Sequence, residues 1–133
     1  MIHYMLDTNT CIAIIKRRPE AIQARLTALP VEEVGISGIV AAELWYGVAF
    51  SQKKKQNERA LEDFLDYVTV LDWPSEAGET YGRIRADLKG KGTPIGAMDL
   101  LIAAHVLFLD AVLVTDNERE FQRVPDLKIE NWK

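Results

Sequence analysis

At 133 residues with 48% apolar side chains, the chain is the length of one domain and has enough hydrophobic material for a packed core, which excludes a disordered chain. A formal net charge of −4 argues against nucleic-acid binding through a broad basic surface, and the single cysteine, Cys11, excludes an internal disulfide framework and a multi-cysteine metal site. No run approaches the roughly 18 apolar residues of a membrane helix, and the N-terminus shows no basic-then-apolar leader, so a cytoplasmic protein is expected.

The elements follow in chain order. Ile2–Leu6 reads as a buried first strand and ends at Asp7. Thr8–Arg17 reads as a helix closed by Arg18-Pro19, and Glu20–Leu29 as a second helix opened by Pro19 and ended by Pro30. Val34–Ser37 is a short strand whose serine caps the helix Ile39–Phe50. That helix is apolar nearly all round, which marks it as buried or as part of an interface; Trp45, Tyr46 and Phe50 lie on it. Ser51–Tyr67 is a polar helix with a Lys53-Lys54-Lys55 run, read as a solvated face. Val68–Leu71 is a third strand. A helix begins at Pro74-Ser75 with Tyr81, Ile84 and Leu88 inward, and Gly90, Gly92 and Pro94 form a loop. Met98–Leu109 is a strongly apolar helix with Asp99 in its first turn. Ala111–Thr115 is a fourth strand ending at Asp116, Asn117–Phe121 a short helix, and Leu127–Glu130 a last strand. Continuous apolar strands alternating with helices predict a parallel α/β sheet.

Four acids stand at special places. Asp7 and Asp116 each follow a strand, where open α/β sheets place their ligands, and they converge if those two strands are neighbours. Glu43 is alone in an apolar helix with no Lys or Arg one turn away; positions 39, 40, 46 and 47 are Ile, Val, Tyr and Gly. A carboxylate there is costly unless it is paired or binds a metal. Asp99 sits in a first turn, where it also suits the helix dipole. Which sheet edge it reaches is left open, because Tyr81–Ala97 allows more than one path. Each acid has a plainer role available as a cap, a turn residue or a solvated side chain. Together they suggest a hard-cation site, since carboxylates without His or Cys suit Mg2+ or Mn2+. Thr8, Asn9, Thr115 and Asn117 flank the acids as hydrogen-bond partners for them or for metal-bound water. His105 and Cys11 read as packed residues, and no Gly-rich phosphate loop or serine elbow is present.

Leu6-Asp7-Thr8-Asn9, Glu43-Leu44 with Gly47, Asp99 to Ala104, and Thr115-Asp116-Asn117 with Phe121 resemble the motifs of the PIN-domain nucleases, and their order and spacing resemble VapC-type toxins of toxin–antitoxin pairs. The resemblance runs over essentially the whole chain. It implies a single three-layer α/β/α domain with a central parallel sheet of four to five strands. It implies an acidic cluster of Asp7, Glu43 and Asp99, with Asp116 as a fourth member ranked below them, because such sequences can carry Asn there. It further implies an Mg2+- or Mn2+-dependent endoribonuclease, often acting on tRNA, a cognate VapB-like antitoxin and a homodimer.

Two other readings stand beside it. Leu6-Asp7-Thr8-Asn9-Thr10 superficially resembles the haloacid-dehalogenase phosphatase signature with Asp7 as nucleophile, but Asn9 occupies the place of its acid/base aspartate. A catalytically inactive binding module is the third. Trp45, Tyr46 and Phe50 are either core or a contact for a second copy or an antitoxin, and charge complementarity lets an antitoxin arginine face the acids.

Overall fold

The computed structural model describes all of residues 1–133. Five short strands form one sheet: β1 (Tyr4–Leu6), β2 (Val34–Ser37), β3 (Thr69–Leu71), β4 (Val112–Val114) and β5 (Lys128–Glu130). Seven helices surround it: α1 (Thr8–Lys16), α2 (Ile22–Thr27), α3 (Gly38–Phe50), α4 (Lys54–Leu65), α5 (Ala77–Gly90), α6 (Ala97–Leu109) and α7 (Glu118–Phe121). Every predicted element is present, with ends that differ by a few residues. The starts of α4 and α5 fall three residues later than expected, at Lys54 and Ala77, and Gly90 closes α5 instead of joining the following loop. One 3-10 turn, Val31–Glu33, was not expected.

The strand order is β3-β2-β1-β4-β5 and every pairing is parallel. The chain moves outward from β1 in one direction through β2 and β3, then crosses back to β4 and β5. Right-handed crossovers therefore put α1–α4 on one face and α5–α7 on the other. In keeping with this, α1 packs on α2, α3 and α4, and α5 packs on α6. The direction of winding reverses between β1 and β4, and that switch point is where such sheets bind ligands. Tyr4, Met5 and Leu6 pair with Val112, Leu113 and Val114, so the chain leaves both strands side by side at Asp7 and Thr115.

The direction of α6 settles where Asp99 goes. This helix feeds β4 through Asp110 and Ala111 alone, with Asp110 in the left-handed conformation and its N–H donating back to Leu107. A helix that delivers the chain to a parallel strand runs opposite to that strand. The N-terminus of α6 thus lies at the carboxyl edge of the sheet, beside β1 and β4. The Trp73 indole N–H donates to the Leu101 carbonyl at 2.9 Å and fastens this end of α6 to the segment after β3.

The core holds Met5, Leu6, Val34, Ile36 and Leu113 from the sheet, with Ile14, Val40, Leu88, Ile102 and Phe121 from the helices. Cys11 is fully buried within it. The all-round apolar character of α3 is not explained by burial. Val40 and Leu44 are buried, but Trp45, Tyr46 and Phe50 are 40%, 67% and 78% exposed. Tyr46 and Phe50 stack on each other at 5.8 Å.

His105 is buried in α6, and its Nδ1 has no hydrogen-bond partner. Burial lowers its pKa below the ordinary value of 6.5, so folding favours the neutral ring. The stabilisation from keeping it neutral is complete above pH about 6.5 and is lost as pH falls below it. His105→Leu should therefore flatten the acid limb of the stability curve. Thermal melts should show its Tm a few degrees above the parent's at pH about 5, with a smaller difference at pH about 8.

Candidate active site at the carboxyl edge of the sheet

Asp7 ends β1 and is only 5% exposed. It is the N-cap of α1: its Oδ1 accepts from the Thr10 N–H at 2.8 Å. Its Oδ2 accepts from the Thr115 hydroxyl at 2.5 Å, across the β1–β4 junction. Thr10 makes a second tie to β4 by donating its hydroxyl to the Val114 carbonyl at 3.1 Å. No Lys or Arg pairs with Asp7. Burial raises its carboxyl above the ordinary range, against the opposing hydrogen bonds from Thr115 and Thr10, and the charge of Asp116 adds to the rise.

Ser37, whose hydroxyl accepts from the Ile39 N–H at 3.2 Å, starts α3 at the end of β2. Glu43 lies on that helix, partly buried, and its Oε1 accepts from the Thr8 hydroxyl at 2.6 Å. This bond joins α3 to the first residue of α1. Asp99 enters from the N-terminus of α6. Burial and a hydrogen bond shared with Glu120, together with the charges of Glu120, Asp7 and Glu43, push its carboxyl up to about 7. Glu120 is pulled the other way, below the ordinary range, first by the Gly96 N–H and then by the Asn117 side chain. Its Oε1 accepts from Gly96 at 2.9 Å and its Oε2 from Asn117 Nδ2 at 3.0 Å. When one proton is shared between the two, it resides on Asp99. Gly96 lies between them: a Cβ there would stand 3.6 Å from Asp99 Oδ2 and 3.7 Å from Glu120 Oε1.

Of the residues singled out in the sequence, Asp7, Glu43 and Asp99 come to one place, from three different elements. Asp116 stands next to them, close enough to act on Asp7, but its Oδ2 is bonded to the Lys133 ammonium at 2.6 Å. Thr8 and Thr115 hold Glu43 and Asp7 as described. Asn117 uses its N–H on the Thr115 hydroxyl at 2.9 Å and its amide on Glu120. Asn9 is exposed and bonds none of the acids. Lys53–Lys55 are exposed. The burial of Cys11, with Asp7 nearby, pushes its thiol well above its ordinary pKa and leaves it unreactive.

Glu120 is the site residue that the sequence reading passed over. It lies one helical turn after Asp116, and the signal for it was that spacing inside a very short helix next to the Asp116-Asn117 motif. No three of these carboxylates stand close enough together to ligate one ion at once with the side chains as placed. The donor set is nonetheless all carboxylate and hydroxyl oxygen. Mg2+ ordinarily takes one or two carboxylates and keeps several waters, so the residues suit a hard divalent cation held partly through water.

Three comparisons bear on this geometry. The PIN domain family model matches residues 4–127. The chain is 44% identical over 130 residues to ribonuclease VapC2 of Rickettsia felis, with 97% of each chain covered. It is 43% identical over 132 residues to the tRNA(fMet)-specific endonuclease VapC of Salmonella typhimurium, with 99% of each covered. Among solved structures it superposes over its full length on a chain of VapBC2 from Rickettsia felis bound to a promoter DNA fragment, with a TM-score of 0.93 and 43% identity. It superposes equally fully on a chain of DNA-bound VapBC from Salmonella typhimurium, with a TM-score of 0.94 and 42% identity. A buried strand-end aspartate, two further acids delivered by separate helices and this full-length likeness together show that the chain belongs to the PIN-domain family and, within it, to the VapC ribonucleases.

Proposed function

We propose that this protein is a divalent-cation-dependent endoribonuclease, the toxin partner of a VapB-like antitoxin. The observation that carries the reading is the crowding of Asp7, Glu43, Asp99 and Glu120 with no Lys or Arg paired to any of them. Asp7, Asp99 and Glu43 would hold Mg2+ or Mn2+, directly or through water, with Glu120 beside Asp99 and Asp116 at the margin. When bound, the cation lowers the pKa of a water and neutralises charge on the scissile phosphate. The protein's own groups do the positioning. Thr115 and the Thr10 N–H fix both oxygens of Asp7, and Thr8 fixes Glu43. Without the cation, burial and the neighbouring acids push the Asp99 carboxyl up to about 7, while Glu120 beside it is held below its ordinary range. His3 precedes β1, at the end of the strand away from Asp7, and His105 is buried, so neither histidine serves as a base here.

The relatives named as tRNA(fMet)-specific endonucleases support tRNA as the RNA class, and a cytoplasmic protein is in keeping with such a substrate. No helix is long and apolar enough to cross a membrane. The VapBC complexes among the solved structures support an antitoxin partner. The exposed Trp45, Tyr46 and Phe50 of α3 supply an apolar contact surface for it or for a second copy in a homodimer, and the acids would accept an antitoxin arginine. The phosphatase reading loses ground to the structure. Asn9 stands where that signature needs its acid/base aspartate, and it is exposed and bonds none of the acids.

Two experiments test this reading. In cleavage of total RNA or tRNA, chelation of divalent cations should abolish activity and Mn2+ or Mg2+ should restore it. Asp99→Asn should lower cleavage by more than about a hundredfold, and Thr115→Val by roughly ten- to a hundredfold, since outer groups that orient ligands commonly matter that much. Full activity in the presence of chelator would refute the metal role.

The second is a stability measurement without cation. Asp99 titrates near 7 in the folded protein and near 3.8 unfolded, so its ionisation opposes folding. The penalty starts as pH rises through about 3.8 and is complete above about 7. Asp99→Asn should thus raise the metal-free Tm at pH about 8 by a few degrees and change it little at pH about 4. Added Mg2+ should raise the Tm of the parent more than that of the variant. Equal gains for Asp99→Asn at both pH values would show that ionising Asp99 does not oppose folding.

A further inference from the structure

The last strand brings a cation to the acids that the reaction chemistry above does not use. β5 pairs in parallel with β4, with Glu130 opposite Val114, so the residues after Glu130 leave the sheet at the same edge as Thr115 and Asp116. Trp132 is buried there. Its ring meets Tyr4 edge-on at 5.5 Å, the Arg25 guanidinium lies 5.3 Å over it, and its Nε1–H donates to Glu130 at 2.9 Å. Arg25 also pairs with Glu130 at 2.9 Å. The Lys133 N–H donates to Asn131 Oδ1 at 3.0 Å. The backbone of Lys133 is thereby held before its side chain makes any contact.

That side chain reaches Asp116, with Nζ 2.6 Å from Oδ2. It is the ammonium's one hydrogen bond to the protein, and an ammonium has three N–H donors. The two side chains keep 33% and 32% of their surface exposed, so a ligand can reach the remaining donors. Lys133–Asp116 is also the only ion pair made by any of Asp7, Glu43, Asp99, Asp116 and Glu120. Arg123, the other cation near Glu120, spends an N–H on the Pro94 carbonyl at 2.9 Å. As an anchor the pair is redundant: exposed ion pairs contribute about 0–1 kcal/mol, and Trp132 already secures the segment. A phosphodiester that approaches five carboxylates, on the other hand, needs positive charge, and lysine supplies it as a compact point charge.

We propose that Lys133 is a substrate-positioning residue: Asp116 orients its ammonium, and the ammonium contacts an RNA phosphate flanking the scissile bond. The proposal rests on the reading that RNA is the substrate. It gives Asp116 a definite job, holding the lysine, in place of ligating the cation.

The test uses RNA binding, so that it does not depend on turnover. Asp99→Asn serves as the cleavage-impaired parent, compared with the same protein also carrying Lys133→Gln or Lys133→Arg. A short fluorescein-labelled single-stranded RNA is titrated by anisotropy at several salt concentrations, and Mg2+ binding is measured by calorimetry on the same three Lys133 forms with Asp99 intact. Lys133→Gln should weaken RNA binding by roughly three- to tenfold and reduce the slope of log affinity against log salt by about 0.7, the loss of one phosphate contact to a single strand. Lys133→Arg should restore both, and Mg2+ affinity should be the same in all three. Unchanged RNA affinity and slope with Lys133→Gln overturns the proposal. So does a change confined to Mg2+ affinity, which would make Lys133 merely a tether for Asp116. A parent that binds no RNA overturns the RNA reading itself, and the proposal falls with it; normal parent binding with an inert Lys133 overturns the proposal alone.

Discussion

A carboxylate buried with no positive partner is the constraint from which the other features of the site follow. Asp7 sits at the junction of two central strands, and water cannot solvate its charge there. Two donors replace that water. One is a free N–H of the first turn of α1, and the other is the hydroxyl of Thr115 from the neighbouring strand. The same bonds that satisfy the charge lock β1, α1 and β4 together at their carboxyl ends. Helix capping and ligand positioning are thus one arrangement, because a carboxylate has two oxygens with lone pairs in several directions and a cap uses only one of them.

The remaining acids are costly for the same reason. Thr8 partly satisfies Glu43, and Gly96 with Asn117 partly satisfies Glu120. Asp99 has no such donor and retains its proton to about neutral pH. Ionising the acids at the switch point of the sheet is therefore costly, through burial first and their mutual charge second, and a cation bound there as proposed above would offset that cost. A phosphate anion would be repelled by the same acids unless positive charge came with it. The one ammonium bound at this edge, Lys133, is carried there by the last strand.

Not every local reading survived folding intact. The apolar surface of α3 could be core or interface from composition, and its aromatic residues face outward, since only the stripe of Val40 and Leu44 is buried. Asn9, adjacent to Thr8, turns to solvent, because successive helical residues point about 100° apart and only one of the two faces α3. Glu120 was missed because, in a sequence, an acid on a four-residue helix is indistinguishable from any other surface acid. Its partners, Gly96 and Asp99, are more than twenty residues away.

The sequence by itself determined the alternation of strands and helices, hence the parallel sheet. Continuous apolar runs of strand length can be satisfied only by burial on both faces, and proline and glycine punctuate them. It also marked Glu43, the one acid of an apolar helix with no neighbour to pair with. Tertiary structure alone decided that β1 and β4 are adjacent, that the N-terminus of α6 returns to the carboxyl edge, and that Glu120 and Lys133 join the acids there. Those are facts of strand order and crossover direction. They depend on contacts between residues more than a hundred positions apart, such as Asp7 with Thr115, and no local spacing records them.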